Sequence, residues 1–492
     1  MVGSIAAHLA YAWYLRSDAF RGLATRKLSE FFNLPADIQT VVPRTYSSRA
    51  FDGVELWLPD RRDRIFRCDR ALWSERRANG RLRVDLDLSR GTLALGTDRW
   101  LLEDYRRVLE SGLRHDFDEI DQVRLDDFSM TFRRADVLLS AEKVRGTLIF
   151  QTPDLGIASL EAYVFNGQPV REPVRIHARF LPHGEVLVET MSLAIPEVAL
   201  AGLGLEKAVG GPISRGWFAG RLEYAEAKPR PSLVVSGRLF DVDLSELTQR
   251  VPSGPIRGSA EVFLERAEMV GSLPTHVKGH AAITGVQLVD LARWLRLPAL
   301  AGAVELNVSE IDILEGVIRR LVINGRVRDV ELADALRLLG RGEATGRLTV
   351  TINALRIESN RIVSADIDVA AAPPAGVSGT IDRELLLTAA KHLAGFSLPE
   401  WIDPQWLPTK VEYTRFGLRL LVTDNRLRII GTHGHDGDTI LTIRVLGREW
   451  GVVKEWGGEI DLTPWVEELL GRISAVDPRE VPKMLRRQAE GE

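Results

Sequence analysis

A single cysteine, Cys68, excludes an intramolecular disulfide and a cysteine-rich metal site. Neither sign of charge prevails: 64 Lys and Arg against 68 Asp and Glu leave a net charge of -4, which gives no electrostatic footprint for nucleic acid. The glycine clusters lack what a phosphate loop requires. Gly202-Leu203-Gly204 through Gly210-Gly211 runs into Pro212 with no Lys-Ser or Lys-Thr, and Gly340, Gly342 and Gly346 lead into a strand pattern instead of a helix. Both sets read as turns. With no motif for catalysis, the expectation is a chain that is not an enzyme and carries no cofactor and no metal.

What the chain has is repetition. Gly258, Gly302 and Gly346 lie 44 residues apart, and each opens a strand pattern in which apolar residues recur at the same spacing. Ala260, Val304 and Leu348 correspond, as do Val262, Leu306 and Val350, then Leu264, Val308 and Ile352. The alternation has period two, which predicts strands with one apolar and one polar face. A shared slip of phase near Ser309 and Asn353 predicts a bulge that restores the apolar face. Short helical patterns precede the glycines at Asp243 to Gln249, Leu288 to Leu297 and Leu332 to Leu339, with Leu244, Leu288 and Leu332 again 44 apart. Each unit is therefore a helix, a long strand and a return strand. Units of this kind must stack to bury their apolar faces, and strands of about a dozen residues with a helix in every unit fit a propeller poorly.

Composition agrees with a folded body: 45% hydrophobic and 27% charged residues are ordinary values, and 492 residues accommodate two to four domains or one long repeat array. Four segments are expected. Residues 1–34 combine a mostly apolar and aromatic stretch, Met1 to Leu15, with an amphipathic helix that Ser17 or Asp18 caps and Pro35 closes. The first stretch is too short to span a bilayer and resembles the end of a membrane helix, either clipped or lying at the interface, with a short buried helix or a poor signal peptide as the alternative. Residues 35–228 are strand after strand. Ser89-Arg90-Gly91 is read as a turn after Leu82, Val84, Leu86 and Leu88, and Pro182-His183-Gly184 as another after Val174, Ile176, Ala178 and Phe180. Pro229-Arg230-Pro231 precedes the repeats of 232–372, and Pro373-Pro374 follows them. Residues 375–492 hold a helix from Leu385 to Ala394, strands at Val411 to Val422 and Leu427 to Gly431, and a terminal helix capped by Thr463-Pro464.

This pattern resembles the AsmA-like family of bacterial envelope proteins. The likeness rests on an N-terminal apolar segment, a helix ending near Pro35, strands through Phe51-Asp52-Gly53-Val54-Glu55-Leu56 and Arg64-Ile65-Phe66, and repeated strand units with short helices. It implies a bridge-like lipid transfer protein anchored in the inner membrane with its body in the periplasm. The implied fold is mainly β with short helices: an elongated, curled antiparallel sheet, a repeating β-groove, behind an N-terminal helix. Acyl chains are the implied partners, with the membrane at the N-terminus and other envelope proteins beside them.

Physics supports the same picture from the residues. A sheet with a continuous apolar face needs a second layer, and the few short helices look too small to supply one. Acyl chains could shield the face instead, each buried methylene being worth about 0.8 kcal/mol. The groove residues singled out are Val262, Leu264, Val304, Leu306, Val308, Leu348, Val350 and Ile352, with the last six on one concave face. The competing architecture is a closed sandwich or helix-covered sheet, and the competing function is a structural or docking module of an envelope assembly that binds no lipid.

Other candidates carry less. His433-Gly434-His435-Asp436-Gly437-Asp438 has atoms suited to a metal, yet its turn composition between two strand patterns predicts a solvated hairpin. His115-Asp116 with Asp118 and Glu119 reads as a charged loop. Trp401, Trp406, Trp450, Trp456 and Trp465 read as core packing, with sugar stacking or a membrane-interface belt as the alternative.

Overall fold

Period-two alternation becomes strand throughout this computed structural model. It describes residues 11, 13–32, 34–59, 63–78, 81–95, 120–134, 137–152, 155–181, 188–203, 212–226, 232–249, 254–270, 273–294, 297–338, 342–373, 377–392, 403 and 406–462. The chain divides into two compact units, the first comprising residues 1–208 and 217–237, the second 209–216 and 238–492.

The first unit starts with α1 (Asp18–Phe32). The Ser17 hydroxyl caps it by accepting from the Phe20 N–H at 3.2 Å. Leu28 and Phe32 of this helix pack against Leu34, Ala36, Leu56, Leu58 and Ile65. The strands are β1 (Ala36–Thr45), β2 (Ser48–Trp57), β3 (Arg64–Ala78), β4 (Arg81–Leu95), β5 (Ile120–Arg134), β6 (Val137–Thr152), β7 (Leu155–Phe165), β8 (Gln168–Phe180), β9 (Val188–Ala199) and β10 (Trp217–Ala225). Each pairs with the next in sequence, antiparallel at every step except β4 with β5, which is parallel. A parallel step needs a crossover, and the intervening residues 96–119, which include the His115 cluster, lie outside the described residues. Ser89-Arg90-Gly91 is not a turn. Strand β4 runs straight through it, with Arg90 at φ 52°, and the ladder resumes from Arg70 opposite Ser89 to Cys68 opposite Gly91. Three polar and small residues in a row signalled a phase slip inside one strand. The Pro182 turn lies outside the described residues.

The second unit takes up β11 (Ser232–Asp243), which crosses the boundary, and then repeats: α2 (Leu244–Leu247), β12 (Ser259–Val270), β13 (Leu273–Gln287), α3 (Leu288–Trp294), β14 (Ala303–Leu314), β15 (Val317–Glu331), α4 (Leu332–Leu338), β16 (Arg347–Glu358) and β17 (Arg361–Ala372). Strands β12 to β17 pair antiparallel in sequence order. A fourth, altered unit follows in β18 (Gly379–Asp382), α5 (Arg383–His392) and β19 (Lys410–Thr423). β19 pairs with β18 over its first residues and with β17 over the rest. On its other edge lies β20 (Arg426–Gly431) beside the upper half and β21 (Thr439–Val445) beside the lower half, backed respectively by β23 (Trp456–Asp461) and β22 (Arg448–Lys454). The final hairpin thus consists of two broken strands, with Thr432 to Asp438 looped out between β20 and β21. The predicted terminal helix lies outside the described residues.

The repeat glycines hold the joints. Gly258, Gly302 and Gly346 have φ of 141°, 138° and 142°, and a Cβ on Gly302 would sit 2.8 Å from the Arg328 carbonyl oxygen. Their carbonyls accept, each at 2.9 Å, from the first N–H of the neighbouring helix: Leu244 to Gly258, Leu288 to Gly302 and Leu332 to Gly346. A carboxylate on the helix adds a second tie. Asp290 accepts from the Arg257 N–H at 3.1 Å and its guanidinium at 2.8 Å, and Glu246, 44 residues earlier, accepts from the N–H groups of Ser214 and Arg215.

Candidate functional site

The feature that the fold builds from the repeats is one face of the second unit's ladder. Side chains of directly paired residues share a face, as do residues two apart on one strand. Pairing therefore runs in rows across the strands. The middle row is Ala260, Ile283, Leu306, Gly325, Ile352, Ile367, Leu420 and Ile429. The row above it is Val262, Ala281, Val308, Ile323, Leu355, Ala365, Val422, Leu427 and Ile460. The row below is Val286, Val304, Val327, Val350, Val369, Leu418 and Gly431. No residue in the three rows carries a polar side-chain atom.

All eight residues picked from the sequence lie on this face. Leu306 and Ile352 fall in the middle row, Val262 and Val308 above, Val304 and Val350 below. Leu264 continues the face opposite Gly279, and Leu348 lies opposite Val330 and Ala371. The bulges fall where the phase slips predicted them: the register skips Glu265 on β12, Ser309 on β14 and Asn353 on β16. Beyond each bulge Ala267, Ile311 and Leu355 return to the apolar side. A second recurrent irregularity escaped the sequence reading. Asp241, Gly285 and Asp329, also 44 apart, have φ of 52°, 66° and 60° just before the helices. Asp and Gly at that spacing, the residue types that tolerate left-handed backbone, were the available signal.

Apart from Ala260, which is buried, the middle row is the least covered. Ile283, Leu306, Gly325, Ile352, Ile367, Leu420 and Ile429 are all half-buried, whereas Val304 and Val308 on either side of Leu306 are 4% and 7% exposed. Across eight strands at about 4.8 Å spacing the row extends roughly 34 Å, against about 30 Å for the hydrocarbon core of a bilayer, which holds two acyl chains end to end. Charges occupy the opposite face. There Glu305 pairs with Arg328, Arg238 with Glu261, Lys278 with Glu265 at 2.6 Å, and Arg419 with Asp366 at 2.5 Å. The Arg419 guanidinium holds the Asp366 carboxyl below the usual range, against burial that raises it.

At the lower end of the last strands the apolar face becomes a closed core. Ala371, Ile381, Leu386, Leu407, Val411, Tyr413, Ile440, Leu441, Ile443, Val452 and Val453 are buried together, with Leu332 and Leu336 of α4 and Leu385 of α5 packed among or against them. Tyr413 donates to the Thr345 carbonyl at 2.7 Å, and burial pushes its hydroxyl pKa up.

The remaining candidates do not assemble chemistry. His433 and Thr439 exchange backbone bonds across the looped-out segment, His435 and Asp436 are exposed, and Asp438 pairs with Lys454 at 2.7 Å. Among the described residues no group of three or more His, Cys, Asp or Glu side chains could hold a metal. Cys68 is buried, and burial raises its thiol pKa to about 11. Trp406 is 76% exposed, against core packing, Trp450 packs against the C-terminal core, and Trp401 and Trp465 lie outside the described residues. Compared with models of known protein families and with curated proteins, the sequence matches none.

Proposed function

We propose that this chain is an AsmA-like envelope lipid carrier that holds phospholipid acyl chains on the apolar face of its repeat ladder. The observation that carries the reading is the middle row through Leu306: half-buried residues on seven successive strands from Ile283 to Ile429, all aliphatic except Gly325, with every described ion pair of the repeat strands confined to the other face. Such a surface offers a guest neither donor nor acceptor. A polar ligand or a peptide backbone would leave its own groups unpaired there at a cost of about 1–3 kcal/mol each, whereas an acyl chain has none to pair and gains about 0.8 kcal/mol per methylene covered. An inner-membrane location with the body in the periplasm accompanies this reading. Support for the membrane side comes from Tyr11, Trp13 and Tyr14, which are 38%, 75% and 43% exposed ahead of the exposed Arg16, Arg21, Arg26 and Lys27. Aromatic rings beside basic residues suit a headgroup interface. No helix among the described residues is long and apolar enough to cross a membrane, and residues 1–10 of the expected anchor lie outside them.

Native mass spectrometry of the purified full chain, with extraction and identification of bound lipid, tests the proposal. Co-purifying phospholipid that detergent-free washing leaves in place is the expected result. A lipid-free chain that takes up no phospholipid from vesicles would instead favour a structural or docking module of an envelope assembly.

A further inference from the structure

Resting on the lipid-carrier reading, a second conclusion follows from the unequal halves of the last hairpin. Below, β21 and β22 join α4 and α5 in a core where Tyr413 and Ile440 are each 1% exposed and Ile443 and Val452 are fully buried. That half of the face is covered by the protein's own side chains. Above, the looped-out Thr432 to Asp438 segment separates β20 from β21, and the aliphatic row goes on through Val422, Leu427 and Ile460 to the last described strand. Leu420, Leu427 and Ile460 are half-buried and no member of the buried core.

We infer that acyl chains pass on and off the C-terminal end of the face over the upper half of the final hairpin, at Leu420, Leu427 and Ile460, while the lower half is a stop. The occupant is hydrocarbon because this row, like the middle one, presents no hydrogen-bonding side chain from Val262 to Ile460. The competing occupant is the chain's own segment 463–492, which follows β23 directly.

The test places a photo-crosslinking amino acid at Leu306 or at Leu427 in the full chain and irradiates it with phosphatidylcholine vesicles whose acyl chains carry a diazirine-free alkyne tag. Lipid captured at both positions is the expected result. Capture at Leu306 but not Leu427 overturns the exit and leaves the carrier reading standing, and capture at neither overturns the carrier reading itself. Capture of residues 463–492 by the Leu427 probe assigns the upper row to the chain's own tail and also overturns the exit. In parallel, Leu427→Glu and Ile460→Glu are expected to slow lipid transfer between vesicles severalfold while the melting temperature and the Leu306 capture stay at parental levels, because half-buried carboxylates reach water. Transfer at the parental rate by both well-folded variants would count against the exit.

Discussion

Leu306 decides between a groove and a sealed core at the scale of one side chain. It is half-buried opposite Gly325, whose missing side chain leaves room for the leucine to lie across it: a Cβ on Gly325 would stand 2.9 Å from the Leu306 Cδ2. Leu306→Arg is therefore expected to fold, its guanidinium reaching water, with a cost of no more than about 1 kcal/mol but a clear loss of bound lipid. A melting temperature far below that of the parent would mean a sealed site, where an unpaired charge costs several kcal/mol. Asp290 behaves otherwise. Its side chain is 2% exposed and gathers the Arg257 N–H and guanidinium and Arg293, so Asp290→Ala should cost about 1.5–3 kcal/mol. The bond to Arg257 holds the Asp290 carboxyl below the usual range, against burial. A depressed carboxyl stabilises the fold fully above about pH 4 and ceases to do so as the pH falls through its folded value. Melting curves of the parent and Asp290→Ala should thus differ most near neutrality and converge under acid. Which residues face the apolar side was legible, because period two needs nothing beyond the chain itself. The partner of Asp290 was not, since Arg257 lies 33 residues away and only the joint brings it near.

At the scale of the element, the strand bulges are the parts that a sequence can show, as slips of phase. Without Ser309 the run Val308-Glu310-Ile311-Asp312-Ile313 alternates strictly and keeps Ile311 and Ile313 on the apolar face, whereas removing Ser309 and Glu310 together turns both isoleucines to the charged face. Two isoleucines brought out of cover amount to about 3–6 kcal/mol, so the double deletion is expected to unfold the surrounding repeat, whereas deletion of Ser309 alone should leave the repeat folded. Urea unfolding of the two variants measures the contrast. The bulge was readable as a phase slip because two repeats slipped together. In Ser89-Arg90-Gly91 one slip stood alone, and its residue types imitated a turn. The parallel step from β4 to β5 leaves no local trace, and the turn composition of His433 to Asp438 marked a solvated loop without showing which strands it separates. Both depend on which strands meet, and partners distant in sequence are chosen by the whole sheet.

For the molecule as a whole, the carrier reading makes lipid a part of the native state. A guest that binds the folded chain and not the unfolded one raises stability by mass action, about 2.7 kcal/mol at a hundredfold excess over its dissociation constant. Chain stripped of lipid should melt lower than chain as purified, and phosphatidylcholine vesicles should restore the difference in calorimetry; identical melts would count against bound lipid. The strand rows also hide an offset. Val304 corresponds to Leu348 in the 44-residue repeat, yet the ladder sets it level with Val350, and Leu306 level with Ile352. Equivalent residues therefore advance by two positions for every two strands, along a line inclined by about 35° to the rows for a rise near 3.4 Å and a strand spacing near 4.8 Å. Because the advance is an even number, parity is preserved: a duplicated or excised unit of 44 residues meets its new neighbours with the oily side still matched to the oily side, while an odd advance would turn it over at every copy. The array can lengthen or shorten by whole units without re-inventing its surface, so the reach of the apolar face is a quantity that gene duplication alone can adjust.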